Sequence, residues 1–271
     1  MAGLRNVRDV GGYATTSGGW TRWGRLYRAD DLSGATAEGL AALRRLGIRT
    51  AISLKTREEG SGRRDAERAA ELGWNLLELP FPAAEPSGLA TSWLHELLPE
   101  QPDTTSAFVA HVERTLEVAR QIRIRRTARA YEALLEAHAE VFAEICDTLR
   151  RREHLPAVVY CRLGADRTGL VVAIVLGLVG VGHADIVADY RLSNEALRDE
   201  TWASDLLAHQ PRAGITRTMI DELMGVSPET LRSTLACLVG RYGDLASFAR
   251  ARLRLEAEAL ADLRSTLSVR P

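Results

Sequence analysis

The sequence predicts an α/β fold in which a mostly parallel central sheet is flanked by helices and interrupted by a helical insertion. Three observations predict it. Strand patterns alternate with helical ones between residues 36 and 79, the mark of βαβ units. Residues 157–161 (AVVYC) form a continuous apolar run, as a central strand buried on both faces requires. Residues 106–153 place apolar side chains at the 3.6-residue period. The 271 residues are read as one domain.

In chain order, residues 3–35 are turn-rich, with Gly11-Gly12, Gly18-Gly19 and Gly24 between short apolar pieces, and predict short strands or loops. Thr36 caps a helix that Gly47 stops. Residues 49–54 follow as a strand, 65–72 as a helix ending at Gly73, and 75–79 as another strand. Residues 80–110 are rich in Pro, Ser and Thr, and 83–130 is read as the insertion. Pro156 ends the long helical region ahead of the central strand. A helix follows from about Thr168, and further helical segments are expected at 184–195, 216–224, 228–241 and 247–267.

Composition excludes several classes of function. Thirty-five basic residues against 36 acidic ones give a net charge of −1, without the basic surplus of a nucleic-acid binder. Lys55 is the single lysine. Cys146, Cys161 and Cys237 are odd in number and far apart, which speaks against a disulfide framework and for a reducing cytoplasm. The N-terminus has no signal-peptide pattern. The longest apolar run, residues 169–182, is short for a membrane span and holds four glycines, so it reads as a buried helix. No metal-ligand spacing is evident, and no cofactor is expected.

The segment that carries chemistry is Cys161-Arg162-Leu163-Gly164-Ala165-Asp166-Arg167-Thr168-Gly169. It sets a cysteine at a strand end and an arginine six residues later, where a helix opens. A loop entering a helix N-terminus aims its backbone N–H groups at one point, a seat for a phosphoryl group. Residues 162–165 supply that seat, and Arg167 can clamp two oxygens through its planar fork. The same positive field is expected to favour the Cys161 thiolate, a nucleophile beneath the bound phosphorus. Thr168 is expected to donate to the sulfur. Gly164 and Gly169 permit close backbone approach. A second Cys-x5-Arg, Cys146 to Arg152, lies inside a helical pattern with no glycine and no preceding strand, and reads as structural.

At these residues the chain resembles the cysteine-dependent tyrosine-phosphatase superfamily, and within it the bacterial tyrosine-phosphatase-like family with a helical lid. Asn6-Val7-Arg8-Asp9-Val10-Gly11-Gly12, Gly24-Arg25-Leu26-Tyr27-Arg28 with Asp31-Leu32-Ser33, and Asp189-Tyr190 with Ser193-Asn194 are similar to that family's motifs. So are Tyr242-Gly243 and Leu263-Arg264. The resemblance implies a protein-tyrosine-phosphatase-like fold, with 83–130 as a lid. It implies a metal-free, two-step phosphomonoester hydrolysis through a phosphocysteine on Cys161. The implied substrate is a phosphotyrosine protein or a small phosphorylated metabolite.

Several positions depart from the family pattern. Tyr160 stands where a histidine is usual, and Ala165 where many relatives have a lysine associated with multiply phosphorylated substrates. Ser53-Leu54-Lys55 replaces Asp-Leu-Arg, which leaves Lys55 as either a substitute substrate contact or a solvated loop charge. Asp166 is the first choice for the general acid; the alternative is that it orients Arg167 or caps the helix. Asp30, Asp31 and Asp103 are weaker candidates. Of the arginines between 120 and 129, one or two are candidates to reach over the pocket. The competing functions are a rhodanese-like sulfurtransferase or arsenate reductase, and a phosphate-binding module without turnover.

Overall fold

The computed structural model describes residues 2–59, 63–83, 106–198 and 225–269, without side chains at 106–109, 111–113 and 116. Five strands form the main sheet: β1 (Arg8–Asp9), β3 (Leu26–Ala29), β4 (Thr50–Ser53), β5 (Asn75–Glu78) and β6 (Ala157–Tyr160). Their spatial order is β1-β3-β6-β4-β5. β6 is parallel to both neighbours, and β5 to β4; only β1 runs antiparallel, at the edge. A separate pair joins β2 (Trp20–Thr21) to β7 (Ser268–Val269), tying the two ends of the chain together.

The register places the site. Ala29 and Ser53 both stand opposite Tyr160, so β3, β6 and β4 end level with one another. The segments that leave them emerge side by side at the carboxyl edge of the sheet, where open parallel sheets bind ligands. All four residues of β6 are buried. Val158 and Tyr160 pack with α1 (Ala37–Arg45) and α2 (Arg63–Leu72), while Val159 and Cys161 join the larger core on the opposite face. This is the two-sided burial that the apolar run required.

The larger core holds α3 (Ser106–Ala137), α4 (Ala139–Leu149), α5 (Asp166–Leu178), α6 (His183–Leu197), α7 (Pro228–Tyr242), α8 (Leu245–Arg252) and α9 (Ala257–Leu267). α5 is buried nearly all round, as its uninterrupted apolar sequence predicts. No described helix is long and apolar enough to cross a membrane.

Most boundaries match the periodicities. Thr36 does cap α1, its hydroxyl accepting from the amide of Gly39 at 3.2 Å. Three expectations need correction. The region 106–153 is two helices, divided at His138, whose backbone leaves the helical range at φ −123° and ψ 35°. The segment 247–267 is also two helices, because the chain turns at Arg254 with φ +55°. α5 starts at Asp166, two residues before the expected point. The helix expected at 216–224, the acid candidate Asp103 and residues 84–105 of the insertion lie outside the described residues. From residue 106 the insertion is the start of α3, which packs on α7.

Candidate active site

In the loop after β6 the carbonyl oxygens of residues 162–165 are all engaged. Arg162 O accepts from the Asp31 amide at 3.1 Å and Leu163 O from Asn6 Nδ2 at 3.0 Å. Gly164 O accepts from Arg28 Nη2 at 2.6 Å, and Ala165 O from the Gly169 amide at 2.8 Å. The C=O of one residue and the N–H of the next point to opposite sides of one peptide plane, so anchoring these carbonyls turns the amides of residues 163–166 the other way. Among the described residues, no acceptor takes the N–H of Arg162, Leu163, Gly164 or Ala165. The loop therefore leaves a run of unengaged amides leading into the N-terminus of α5.

Two glycines make that curvature sterically accessible. Gly164 has φ +63°, and a Cβ there would lie 2.4 Å from Ala29 O. A Cβ on Gly169 would lie 2.6 Å from the ring of Tyr190.

The support behind the loop explains motifs that are scattered in the sequence. Arg28, fully buried, binds Asp189 Oδ2 at 2.6 Å through Nη1 and the loop carbonyl through Nη2. Arg8 binds Asp189 Oδ1 at 3.0 Å, and Ser193 Oγ lies 3.2 Å from Arg28 Nη2. Arg8 also donates to Asn6 Oδ1, while Asn6 Nδ2 reaches the loop. Asp9 accepts from the amides of Gly11 and Gly24 and holds the turn. Burial alone would raise the Asp189 carboxyl, but Arg28 and Arg8 overcome it and hold the group below the usual carboxylate range.

Arg167 is 5% exposed and anchored along one edge. Its Nη1 donates to Leu54 O at 3.1 Å and Phe81 O at 3.0 Å, carbonyls just beyond β4 and β5. Nη1 and Nη2 bind the two oxygens of Glu59, each at 2.5 Å. Nε takes part in none of these bonds. Burial works against both charges, yet each partner stabilises the other. Glu59 is held below the normal carboxylate range and Arg167 above its ordinary value.

Glu59, the carboxylate that holds Arg167, is the residue that sequence reading missed. It lies on a short 3-10 turn, Arg57–Glu59, with no periodicity to mark it. The available signal was chemical: a buried guanidinium with one edge toward a ligand needs a carboxylate on the other.

Cys161 is 3% exposed and within electrostatic reach of both Arg167 and Arg28. Cys146 is buried without such neighbours, and burial, with Asp147 nearby, pushes its thiol up to about 12. The two Cys-x5-Arg segments thus differ in their charged neighbours.

The expected bond from Thr168 to the sulfur is not formed. Thr168 is fully buried, and its Oγ1 has no hydrogen-bond partner among the described residues. Asp166 neither orients Arg167, which is held by Glu59, nor points away from other groups. Its Oδ1 accepts from Tyr131 at 2.5 Å.

Lys55 is not a solvated charge. It is 2% exposed, with Nζ 2.9 Å from Asp31 Oδ1 and 2.8 Å from Asp65 Oδ1, and it lies 5.9 Å above the Tyr160 ring. A lone buried ammonium is too costly, so two carboxylates neutralise it. Asp30 accepts from the amides of Arg5 and Asn6, and burial raises its carboxyl. Of the arginines between 120 and 129, Arg120 and Arg123 line a narrow cavity with Asp166, Thr127, Tyr190 and Thr230.

Known proteins converge on the same chemistry. A model described as the tyrosine phosphatase family matches residues 1–269. A Cupriavidus necator protein named "Putative tyrosine-protein phosphatase" is 26% identical over 257 residues, 95% of this chain and 84% of its own. The "Triple specificity protein phosphatase PtpB" of Mycobacterium tuberculosis is 27% identical over 259 residues, 92% of each chain. With the match running from end to end, the chain belongs to the tyrosine phosphatase family and is a phosphatase.

Proposed function

We propose that this phosphatase hydrolyses phosphomonoesters by way of a phosphocysteine on Cys161. The observation that carries the reading is the loop itself, with its carbonyls engaged and its amides left for three equatorial oxygens. The sulfur attacks phosphorus as the ester oxygen leaves. The amides of residues 162–165 and the open edge of Arg167 hold the spreading charge. Asp166 protonates the leaving oxygen. Water then cleaves the S–P bond.

The chain works as one domain, with 83–130 as a lid over the seat. The position of Arg120 and Arg123 beside Asp166 supports that placement. The substrate is a phosphotyrosine protein or a small phosphorylated metabolite. A relative named for protein dephosphorylation favours the first, and the absence of a loop lysine argues against a polyphosphorylated headgroup.

Cys161→Ser tests the mechanism. The variant is expected to fold, to bind vanadate and to lose aryl phosphate turnover, while acid-quenched wild-type enzyme retains labelled phosphate on Cys161. Turnover by the serine variant, or label on Cys146, overturns the reading.

A further inference from the structure

Tyr131 on α3 and Tyr190 on α6 meet in the core directly behind the loop. Both are essentially unexposed, at 0% and 1%. Tyr131 Oη lies 2.5 Å from Asp166 Oδ1 and 2.8 Å from Tyr190 Oη. A phenol has one proton to give. When Asp166 is ionised, Tyr131 gives that proton to the carboxylate, so the Tyr131–Tyr190 bond must be donated by Tyr190. The chain then has one direction, Tyr190 to Tyr131 to Asp166. Two phenylalanines would fill the same space without hydrogen bonds to satisfy, so the hydroxyls need a reason.

We propose that Tyr131 and Tyr190 are positioning residues for the general acid: by occupying Oδ1 of Asp166, they leave Oδ2 to carry the proton delivered to the leaving group. This rests on the reading of Asp166 given above. As the Cys161 S–P bond forms and the P–O bond breaks, the proton on Oδ2 passes to the ester oxygen. Asp166 is left as the carboxylate that the Tyr131 hydroxyl then stabilises most strongly.

Both phenols stay neutral donors throughout. Burial comes first among the causes that raise them, followed by the Asp166 charge. The charged groups around the acid are Arg120 and Arg123 on α3, Arg167 beside it on α5, and Arg28 on β3; α7 contributes the uncharged Ser227 and Thr230. Tyr131 and Tyr190 set the orientation of its carboxyl through Oδ1.

The arrangement couples the insertion to the chemistry. Tyr131 belongs to the same continuous helix as Arg120 and Arg123, so a rotation of α3 that moved the arginines would also move the hydroxyl on the acid.

The test is the pH dependence of kcat/KM and kcat for phenyl phosphate and 2,4-dinitrophenyl phosphate in wild type, Tyr131→Phe, Tyr190→Phe and Asp166→Asn. With the poor leaving group, wild type loses activity at high pH as the acid deprotonates. Tyr131→Phe removes the hydrogen bond that holds Oδ1 of the ionised carboxylate, so that limb moves upward. It also lowers kcat more for phenyl phosphate than for the dinitrophenyl ester. Tyr190→Phe moves the limb the same way by less, and supplies the answer if Tyr131→Phe does not fold. A limb that disappears in Asp166→Asn but stays in place in both phenylalanine variants overturns this inference and leaves the acid assignment intact. A limb that persists in Asp166→Asn overturns the acid assignment itself.

Discussion

Replacing Glu59 with Gln tests how far phosphate capture depends on the far edge of Arg167. The side chain keeps its size and loses its charge. Two bonds of 2.5 Å between ions become at best one, from the guanidinium to a neutral amide oxygen, and Arg167 is 5% exposed, so solvent cannot readily compensate. Bonds to charged groups are worth about 1.5–3 kcal/mol. Leu54 O and Phe81 O still hold Nη1, so the lower half of that range applies. A loss of about 1.5–2 kcal/mol in the oxyanion-bound state corresponds to roughly ten- to thirty-fold in kcat/KM and in vanadate affinity.

The assay pairs aryl phosphate kinetics and vanadate inhibition with urea unfolding. Glu59 sits below its unfolded pKa, so its contribution to stability is full above the unfolded value and is lost as the pH falls through the folded one. The variant should therefore lose stability near neutrality and converge with wild type in acid. Kinetics, inhibition and unfolding midpoint all within about twofold of wild type would refute the reasoning.

Two further outcomes follow from the geometry. Gly164→Ala forces a side chain onto a φ of +63° with its Cβ 2.4 Å from Ala29 O, a backbone atom that cannot swing aside. A strain of about 1–3 kcal/mol should lower the melting temperature, and kcat/KM should fall at least about tenfold because the loop flattens; unchanged kinetics would remove the loop from the site. Lys55→Met leaves Asp65 buried beside an uncharged side chain, so urea unfolding should show a loss of about 3–5 kcal/mol. Its kcat/KM per folded molecule should stay within about threefold, whereas a selective loss of phosphate affinity would restore Lys55 as a substrate contact.

What could be read in advance was local. The Thr36 cap, the glycine stops, the two-sided apolar run of β6 and the glycines of the loop all act over a few residues, and each has a sequence pattern. The residues that were misread or missed act through partners far away in the chain. Lys55 looks like a loop charge until Asp31 and Asp65 close around it. Glu59 has no pattern of its own; its role exists only because Arg167 arrives from 108 residues away. Tyr131 reads as one more apolar position on a helical stripe, and its hydroxyl acquires meaning only next to Asp166. Arg8, Arg28 and Asp189 were visible as matched fragments, without the single buried network that joins them.

The level ends of β3, β6 and β4 have a consequence for biosynthesis. The middle strand is made last of the three, and Asp189, which neutralises Arg28, comes later still. Until that aspartate has left the ribosome, Arg28 cannot be sequestered and nothing holds Gly164 O in place. Such distant pairings close slowly, because the entropy of a long intervening segment is lost before any contact rewards it. A nascent chain therefore carries the loop without its neutralised Arg28 anchor until the segment holding Asp189 has folded back against β3.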